Sequence, residues 1–316
     1  MTAFRADTAP SSTTTLGAMT SSPFGRVLTA MVTPMTADGE VDPAGTDALV
    51  EHLLATGHDG IVVNGTTGEA STLTDDESIE TMARVKARAG DRAAMVAGVG
   101  SNDTRHAIHM ARRAADVGAD ALLLVSPYYN KPTQPGLIAH CHAVADATGL
   151  PVVLYDIPGR TGIPFTTETL VALADHPRIV AVKDAKGDLA ASTHVMAATD
   201  LLWFSGEDAL TLPLLAIGAV GTVSVVGHVA GSEYAAMIAA VDRGDMVEAR
   251  RIHEALVPIV DAIMTPSQGA IMAKAALVEL GVIGSAAVRL PLVQSPVEHL
   301  EALRAALATL PGILDR

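Results

Sequence analysis

A lysine at the end of an apolar run is the residue around which this chain can do chemistry. Ile179-Val180-Ala181-Val182 is mostly β-branched and leads straight into Lys183-Asp184. Such a run reads as a strand buried on both faces. An ammonium is costly there unless it is paired or neutralised. The chain has 21 basic residues, and five of them are lysines (Lys86, Lys131, Lys183, Lys186 and Lys274), so Lys183 is not one of a crowd of surface ammoniums. This stretch leaves two readings open. The side chain can snorkel to water, or burial can depress its pKa and make it an amine nucleophile toward a carbonyl.

Other polar residues follow other apolar runs. Gly65-Thr66-Thr67-Gly68-Glu69 comes after Gly60-Ile61-Val62-Val63-Asn64. It is either a simple turn or a nest of N–H and hydroxyl groups for a carboxylate. Tyr155 ends the run before Lys183; it is a core aromatic with a satisfied hydroxyl or a proton shuttle. Tyr128-Tyr129, in the loop Ser126 to Lys131, can pack as a pair or meet another subunit. Arg160 follows a Pro158-Gly159 turn and reads as a surface ion-pair partner or a clamp for a carboxylate. Gly206 and Val225 can act only through backbone carbonyls. His106 and His109 are expected on a solvated helix face, and no histidine spacing calls for a metal.

These residues need a frame that brings them together, and the chain has a rhythm that supplies one. Strands are expected at Val27 to Val32, Gly60 to Asn64, Ala93 to Ala97, Ala121 to Val125, Pro151 to Tyr155, Ile179 to Val182, Leu201 to Phe204 and Gly221 to Val226. Helices are expected at Pro43 to Thr56, Thr74 to Ala89 (with Thr74 and Glu77 as a capping box), Asp103 to Val117, Leu137 to Thr148, Thr166 to Ala174, Leu189 to Ala197, Asp208 to Ala216 and Ser232 to Val241. Eight strand–helix units over about 220 residues predict an α/β (β/α)8 TIM barrel, in which functional groups lie at the C-terminal ends of strands. A doubly wound open sheet is the alternative, but it usually has fewer strands and a Gly-rich dinucleotide turn, absent here. After about Asp245 only helices are expected: Met246 to Ile263, Gln268 to Leu280 and Pro296 to Leu307. The expected domains are a disordered tail over 1–22, a catalytic barrel over 23–244 and a C-terminal helical region over 245–316.

Bulk numbers narrow the function classes. Apolar residues make up 49% of the 316 and aromatics 3%, so Ala, Val, Leu and Ile must fill the core. A formal charge of −14 argues against nucleic acid or an anionic membrane as partner, and it makes an anionic substrate depend on a local cationic or N–H-rich pocket. One cysteine, Cys141, permits no intrachain disulfide and points to a reducing compartment, where it reads as a buried inert thiol. The Ser/Thr/Ala-rich start lacks the apolar segment of a secretory signal, and Met19 is an alternative start. No apolar run is long enough to span a bilayer.

At four motifs the sequence becomes specific: Gly65-Thr66-Thr67-Gly68-Glu69, Pro127-Tyr128-Tyr129-Asn130-Lys131-Pro132, Tyr155-Asp156-Ile157-Pro158-Gly159-Arg160-Thr161-Gly162 and Val182-Lys183-Asp184-Ala185. From about Val27 to its end the chain resembles the dihydrodipicolinate synthase family, within the N-acetylneuraminate lyase superfamily of class I aldolases. The resemblance implies a cytoplasmic lyase of lysine and diaminopimelate biosynthesis. It would condense pyruvate with L-aspartate 4-semialdehyde through a lysine Schiff base, with no external cofactor. By the same resemblance Lys183 carries the imine, and Tyr155, Thr66 and Tyr129 form a proton relay, Tyr129 coming from a neighbouring subunit. Thr67 and the loop amides hold the pyruvate carboxylate, the Val225 carbonyl lies against pyruvate, and Arg160 binds the semialdehyde carboxylate. A homotetramer built from two tight dimers is implied. Another pyruvate aldolase acting on a sugar acid is the alternative, and Thr66 and Arg160 argue against it. The family's lysine-feedback cluster is altered here to Ala70, Asp75, Ser78 and His106, with Asn102 kept, so inhibition by lysine is expected to be weak or absent. Thr265-Pro266-Ser267-Gln268-Gly269 departs from the family's usual Asn-Pro run.

Overall fold

A computed structural model describes residues 22–310. The elements run β1 (Val27–Ala30), α1 (Pro43–Ala55), β2 (Gly60–Val63), α2 (Asp75–Ala89), β3 (Ala94–Gly98), α3 (Thr104–Asp116), β4 (Ala121–Val125), α4 (Gln134–Ala145), β5 (Val152–Asp156), α5 (Pro158–Thr161), α6 (Thr167–Ala174), β6 (Ile179–Asp184), α7 (Leu189–Ala198), β7 (Leu202–Ser205), α8 (Thr211–Ala216), β8 (Gly221–Ser224), α9 (Gly227–Asp242), α10 (Met246–Met264), α11 (Gly269–Glu279) and α12 (Val297–Leu307). The eight strands pair in parallel and in chain order, and β8 closes on β1. This is the expected TIM barrel, followed by helices alone. The disordered tail expected over 1–22 lies, apart from Ser22, outside the described residues.

Alternation along the strands builds two apolar layers. Val62, Val96, Leu123, Val153, Ala181, Phe204 and Val223 fill the lumen. Their chain neighbours Ile61, Val63, Met95, Leu122, Leu154 and Val182 pack outward against Leu49, Leu53, Met82, Val85 and Leu173 of the helices. Both strand faces are buried, which is why the strands read as continuous apolar runs. The capping box at Thr74 and Glu77 forms as expected. Gly57, Gly118 and Gly218 take φ of 88, 84 and 119° where helices hand the chain back to strands. That left-handed region is open to glycine at little steric cost. Cys141 is buried, and burial pushes its thiol up to about 12.

Several boundaries differ from expectation for local reasons. α4 begins at Gln134, not Leu137, because Thr133 caps it and Pro135 is tolerated in the first turn. The Pro158-Gly159 turn is the start of a one-turn helix, α5, which leaves Arg160 exposed. The single helix expected over Asp208 to Ala216 divides into a 3-10 turn, Asp208–Leu210, and α8. β8 ends at Ser224 because the Asp208 carboxylate accepts the next two N–H groups, Val225 at 3.0 Å and Val226 at 3.3 Å. The chain therefore leaves the sheet, and α9 starts at Gly227 with a non-helical Ala230 near its beginning.

Candidate active site

The strand period decides which residues share the barrel mouth. Ala181 faces the lumen, so Lys183, two residues on, does too; the same rule carries Val153 to Tyr155 and Val62 to Asn64. Tyr155 and Lys183 are register partners across β5 and β6. The Lys183 Nζ sits 4.2 Å from the Tyr155 ring centroid, with both residues at 5% exposure or less. Burial lowers the Lys183 pKa to about 8; Asp208 and Glu207 pull it back up, and Arg160 lowers it further. Against the ordinary value of 10.5, the neutral fraction at pH 7 rises from about 3 × 10⁻⁴ to about 0.1. The amine is thus made nucleophilic by desolvation, and the snorkelling reading falls away because the residue is 4% exposed.

Burial also raises the Tyr155 phenol to about 12, while Arg160 and a side-chain hydrogen bond with Thr66 act in the opposite direction. A phenol with that pKa stays protonated at neutral pH and can donate to an oxygen that becomes anionic. Thr66 lies in the turn after β2. Within this turn the N–H groups of Gly68 and Ala70 donate to the Gly65 carbonyl and that of Glu69 to Thr66. The run of free amides expected from sequence is therefore reduced. The N–H groups of Thr66 and Thr67 remain without a partner among the described residues and are available to a carboxylate.

A cleft of about 400 Å³ opens here, lined by Thr66, Tyr155, Arg160, Asn64, Tyr128 and His106, among others. Lys183, Thr67, Gly206 and Val225 are not part of its lining. Tyr129 is 89% exposed with a left-handed φ of 75°, and the chain does not bring it to its own Lys183. The Val225 carbonyl accepts from both the N–H and the Nδ1 of His228, at 3.2 and 2.7 Å. His106 is half of a pair with Asp75 at 3.0 Å on α2 and α3.

Gly206 matters for a reason that its backbone carbonyl does not capture. A methyl group there would lie 2.9 Å from Lys183 Cγ and 3.0 Å from Cε. The glycine makes room for the lysine. If Lys183 carries the imine that the sequence resemblance implies, Gly206→Ala is expected to slow borohydride trapping of pyruvate about 10- to 100-fold, the scale of an ångström-sized misplacement. Rapid-quench trapping measures this, with circular dichroism to confirm the fold.

Sequence reasoning passed over Asp208. It is buried, accepts Tyr234 Oη at 2.8 Å, bonds Ser224 Oγ, and holds the exit of β8 beside Lys183. Its signal was position alone, after the seventh strand. Asn64 was also missed: it is buried at the cleft, and neither amide atom has a partner among the described residues.

Three comparisons with known proteins bear on this arrangement. The profile of the Dihydrodipicolinate synthetase family matches residues 23–310. The 4-hydroxy-tetrahydrodipicolinate synthase of Kineococcus radiotolerans is 56% identical over 286 residues, covering 90% of this chain and 93% of that protein. The structure of the enzyme from Cyanidioschyzon merolae with lysine bound aligns at TM-score 0.87 and 45% identity, over 90% of this chain and 98% of that one. The Acinetobacter baumannii enzyme complexed with pyruvate aligns at TM-score 0.87 and 38% identity, again over 90% and 98%.

Proposed function

The chain belongs to the dihydrodipicolinate synthetase family, and on that premise we propose how its residues divide the work of condensing pyruvate with L-aspartate 4-semialdehyde to 4-hydroxy-tetrahydrodipicolinate. One observation carries the reading: an amine whose pKa burial lowers lies 4.2 Å from the ring of a buried phenol, at the C-terminal end of a barrel, with Thr66 in the cleft that the phenol lines.

Neutral Lys183 adds to C2 of pyruvate. Tyr155 protonates the resulting oxygen, water leaves, and an iminium forms; the lysine thereby does the work of a cofactor. Thr66 and Thr67 N–H groups hold the pyruvate carboxylate. The pyruvate methyl loses a proton through the Tyr155–Thr66 hydroxyls, and its electron pair moves into the iminium to give an enamine. The enamine carbon attacks the aldehyde, whose oxygen takes up a proton. Arg160, exposed at the mouth, binds the second carboxylate. The product's amino group then attacks the imine carbon, frees Lys183 and closes the ring. One water is released overall.

We read Tyr129 as a residue lent to a neighbouring subunit of a dimer within a tetramer, a reading that its exposure supports. Val225 and Gly206 frame the imine, one as backbone and one as space. The buried single thiol suits a cytoplasmic setting. The test is pyruvate consumption with and without aspartate semialdehyde, together with borohydride trapping mapped to Lys183. Consumption that depends on the aldehyde upholds the reading. Trapping without such consumption makes the chain another pyruvate aldolase, and loss of both overturns the chemistry.

Lysine is expected to inhibit weakly or not at all. His106 already engages Asp75 at 3.0 Å and Ser101 at 3.2 Å in the region where the family's polar cluster would receive an effector. Micromolar lysine binding by calorimetry would contradict this.

A further inference from the structure

Glu69 ends the Thr66 turn and, with Gln268, belongs to the lining of the cleft, yet its carboxylate is taken up by other partners. It is 3% exposed and takes Lys274 Nζ at 2.5 Å on one oxygen and the Arg289 N–H at 2.9 Å on the other. Lys274 lies on α11, is fully buried, and donates also to the Ala287 carbonyl at 2.7 Å. The Arg289 guanidinium grips Glu77 and the carbonyls of Thr72 and Gly39. At the start of the same α11, Gln268 caps the helix and points its Nε2 at the Thr66 carbonyl, 3.4 Å away. The Glu69 N–H donates to that same carbonyl at 3.1 Å.

The C-terminal helices therefore hold both ends of the turn that carries Thr66. Glu69 itself adopts a left-handed φ of 58°, a conformation disfavoured for a residue with a Cβ. Something must hold it there, and the two contacts on its carboxylate do. A buried ion pair is poor evidence for stability alone, since apolar residues of similar volume often do as well or better; fixing one geometry is what such a pair can add. The geometry that needs fixing is that of Thr66 and Tyr155, which line one cleft.

We propose that Glu69, Lys274 and Gln268 form a brace that positions Thr66 against Tyr155, so that the C-terminal helical region sets the geometry of the proton relay. The proposal rests on the reading of Lys183 and Tyr155 given above. It assigns these three as positioning residues, and it gives a role to the Gln268 stretch that family resemblance left without one.

The experiment uses the full chain and reads pyruvate alone. Deuterium exchange into the pyruvate methyl group, followed by NMR, reports enamine formation and needs no aldehyde. Borohydride trapping reports the imine. Glu69→Gln combined with Lys274→Met removes both charges together, so no uncompensated ion is left buried. This variant is expected to trap pyruvate on Lys183 to completion, more slowly than wild type, while exchange and kcat fall together by about tenfold or more. Lys274→Met alone is expected to melt earlier, because it strands the carboxylate. Gln268→Ala leaves the charges in place and is expected to slow exchange about two- to fivefold. Wild-type exchange in the double variant overturns the proposal, as does loss of trapping in parallel with exchange, which would mean a collapsed site. Should the double variant fail to fold, Gln268→Ala decides: unchanged exchange there overturns the brace. If the wild type traps and exchanges pyruvate but consumes no aspartate semialdehyde, the synthase reading fails and the brace is still judged on exchange.

Discussion

Lys183→Met is expected to abolish condensation and pyruvate trapping while making the protein more stable. Loss of the proposed covalent nucleophile should lower kcat by about 10⁴-fold or more, the scale at which enzymes lose function when the attacking group is removed. The stability gain follows from the same burial that creates the nucleophile. The folded-state pKa of Lys183 is about 8 against 10.5 for the ordinary side chain. The charged form is therefore disfavoured in the folded state. Stability is highest above the unfolded value and is lost as pH falls from 10.5 through 8, then levels off. At pH 7 the wild type carries that penalty, roughly 3 kcal/mol from a shift of 2.5 at 1.36 kcal/mol per pH unit. A methionine of similar length keeps the packing beside Tyr155 and removes the charge. Thermal melts should place the variant several degrees above wild type at pH 7, with the gap closing toward pH 10.5. Equal stability at pH 7 would mean that Lys183 is not desolvated, and the account of its nucleophilicity would fail with it. An amine that is costly to keep where it sits is what a site selected for chemistry over stability looks like.

Much of this site was legible in the sequence because its information is local. An apolar run ending in lysine or tyrosine places the polar group at a strand end, and strand alternation turns both toward the lumen. Eight repeats of strand and helix imply closure, and closure brings ends that are distant in sequence to one mouth. What escaped reading is what depends on approach between segments. Nothing near Gly206 says that Lys183 needs the space its missing side chain leaves. Glu69 and Lys274 are 205 positions apart, and each alone looks like a surface charge. Asp208 ends β8 by accepting two N–H groups of another strand's exit, so the expected strand through Val226 stopped two residues early. The Val225 carbonyl bonds His228, a residue whose buried ring no local pattern distinguishes. Tyr129 is the opposite case: its motif was plain, but the single chain leaves it in solvent.

Tyr155→Phe should separate two roles that the geometry leaves joined, proton transfer and control of the Lys183 pKa. The phenyl ring keeps the contact 4.2 Å beneath the lysine and keeps the site dry, while the hydroxyl, whose pKa Thr66 draws down against burial, is removed. If the phenol is a relay, kcat falls about 10²- to 10³-fold at all pH values, the usual contribution of a positioned acid or base. Trapping of pyruvate becomes slow but still goes to completion. The pH profile of trapping then keeps its midpoint near 8, because the desolvation that lowers the Lys183 pKa is unchanged. If the phenol acts instead by tuning the amine, the midpoint moves up toward 10.5 and the plateau at high pH recovers wild-type rate. The relay reading also fixes what Thr66→Val must do in this background. A hydroxyl pair that passes one proton works as a unit, so removing the second member after the first should cost little more. Additive losses in Tyr155→Phe with Thr66→Val would mean two separate functions, with Thr66 serving the carboxylate of pyruvate through its N–H and hydroxyl and not the proton.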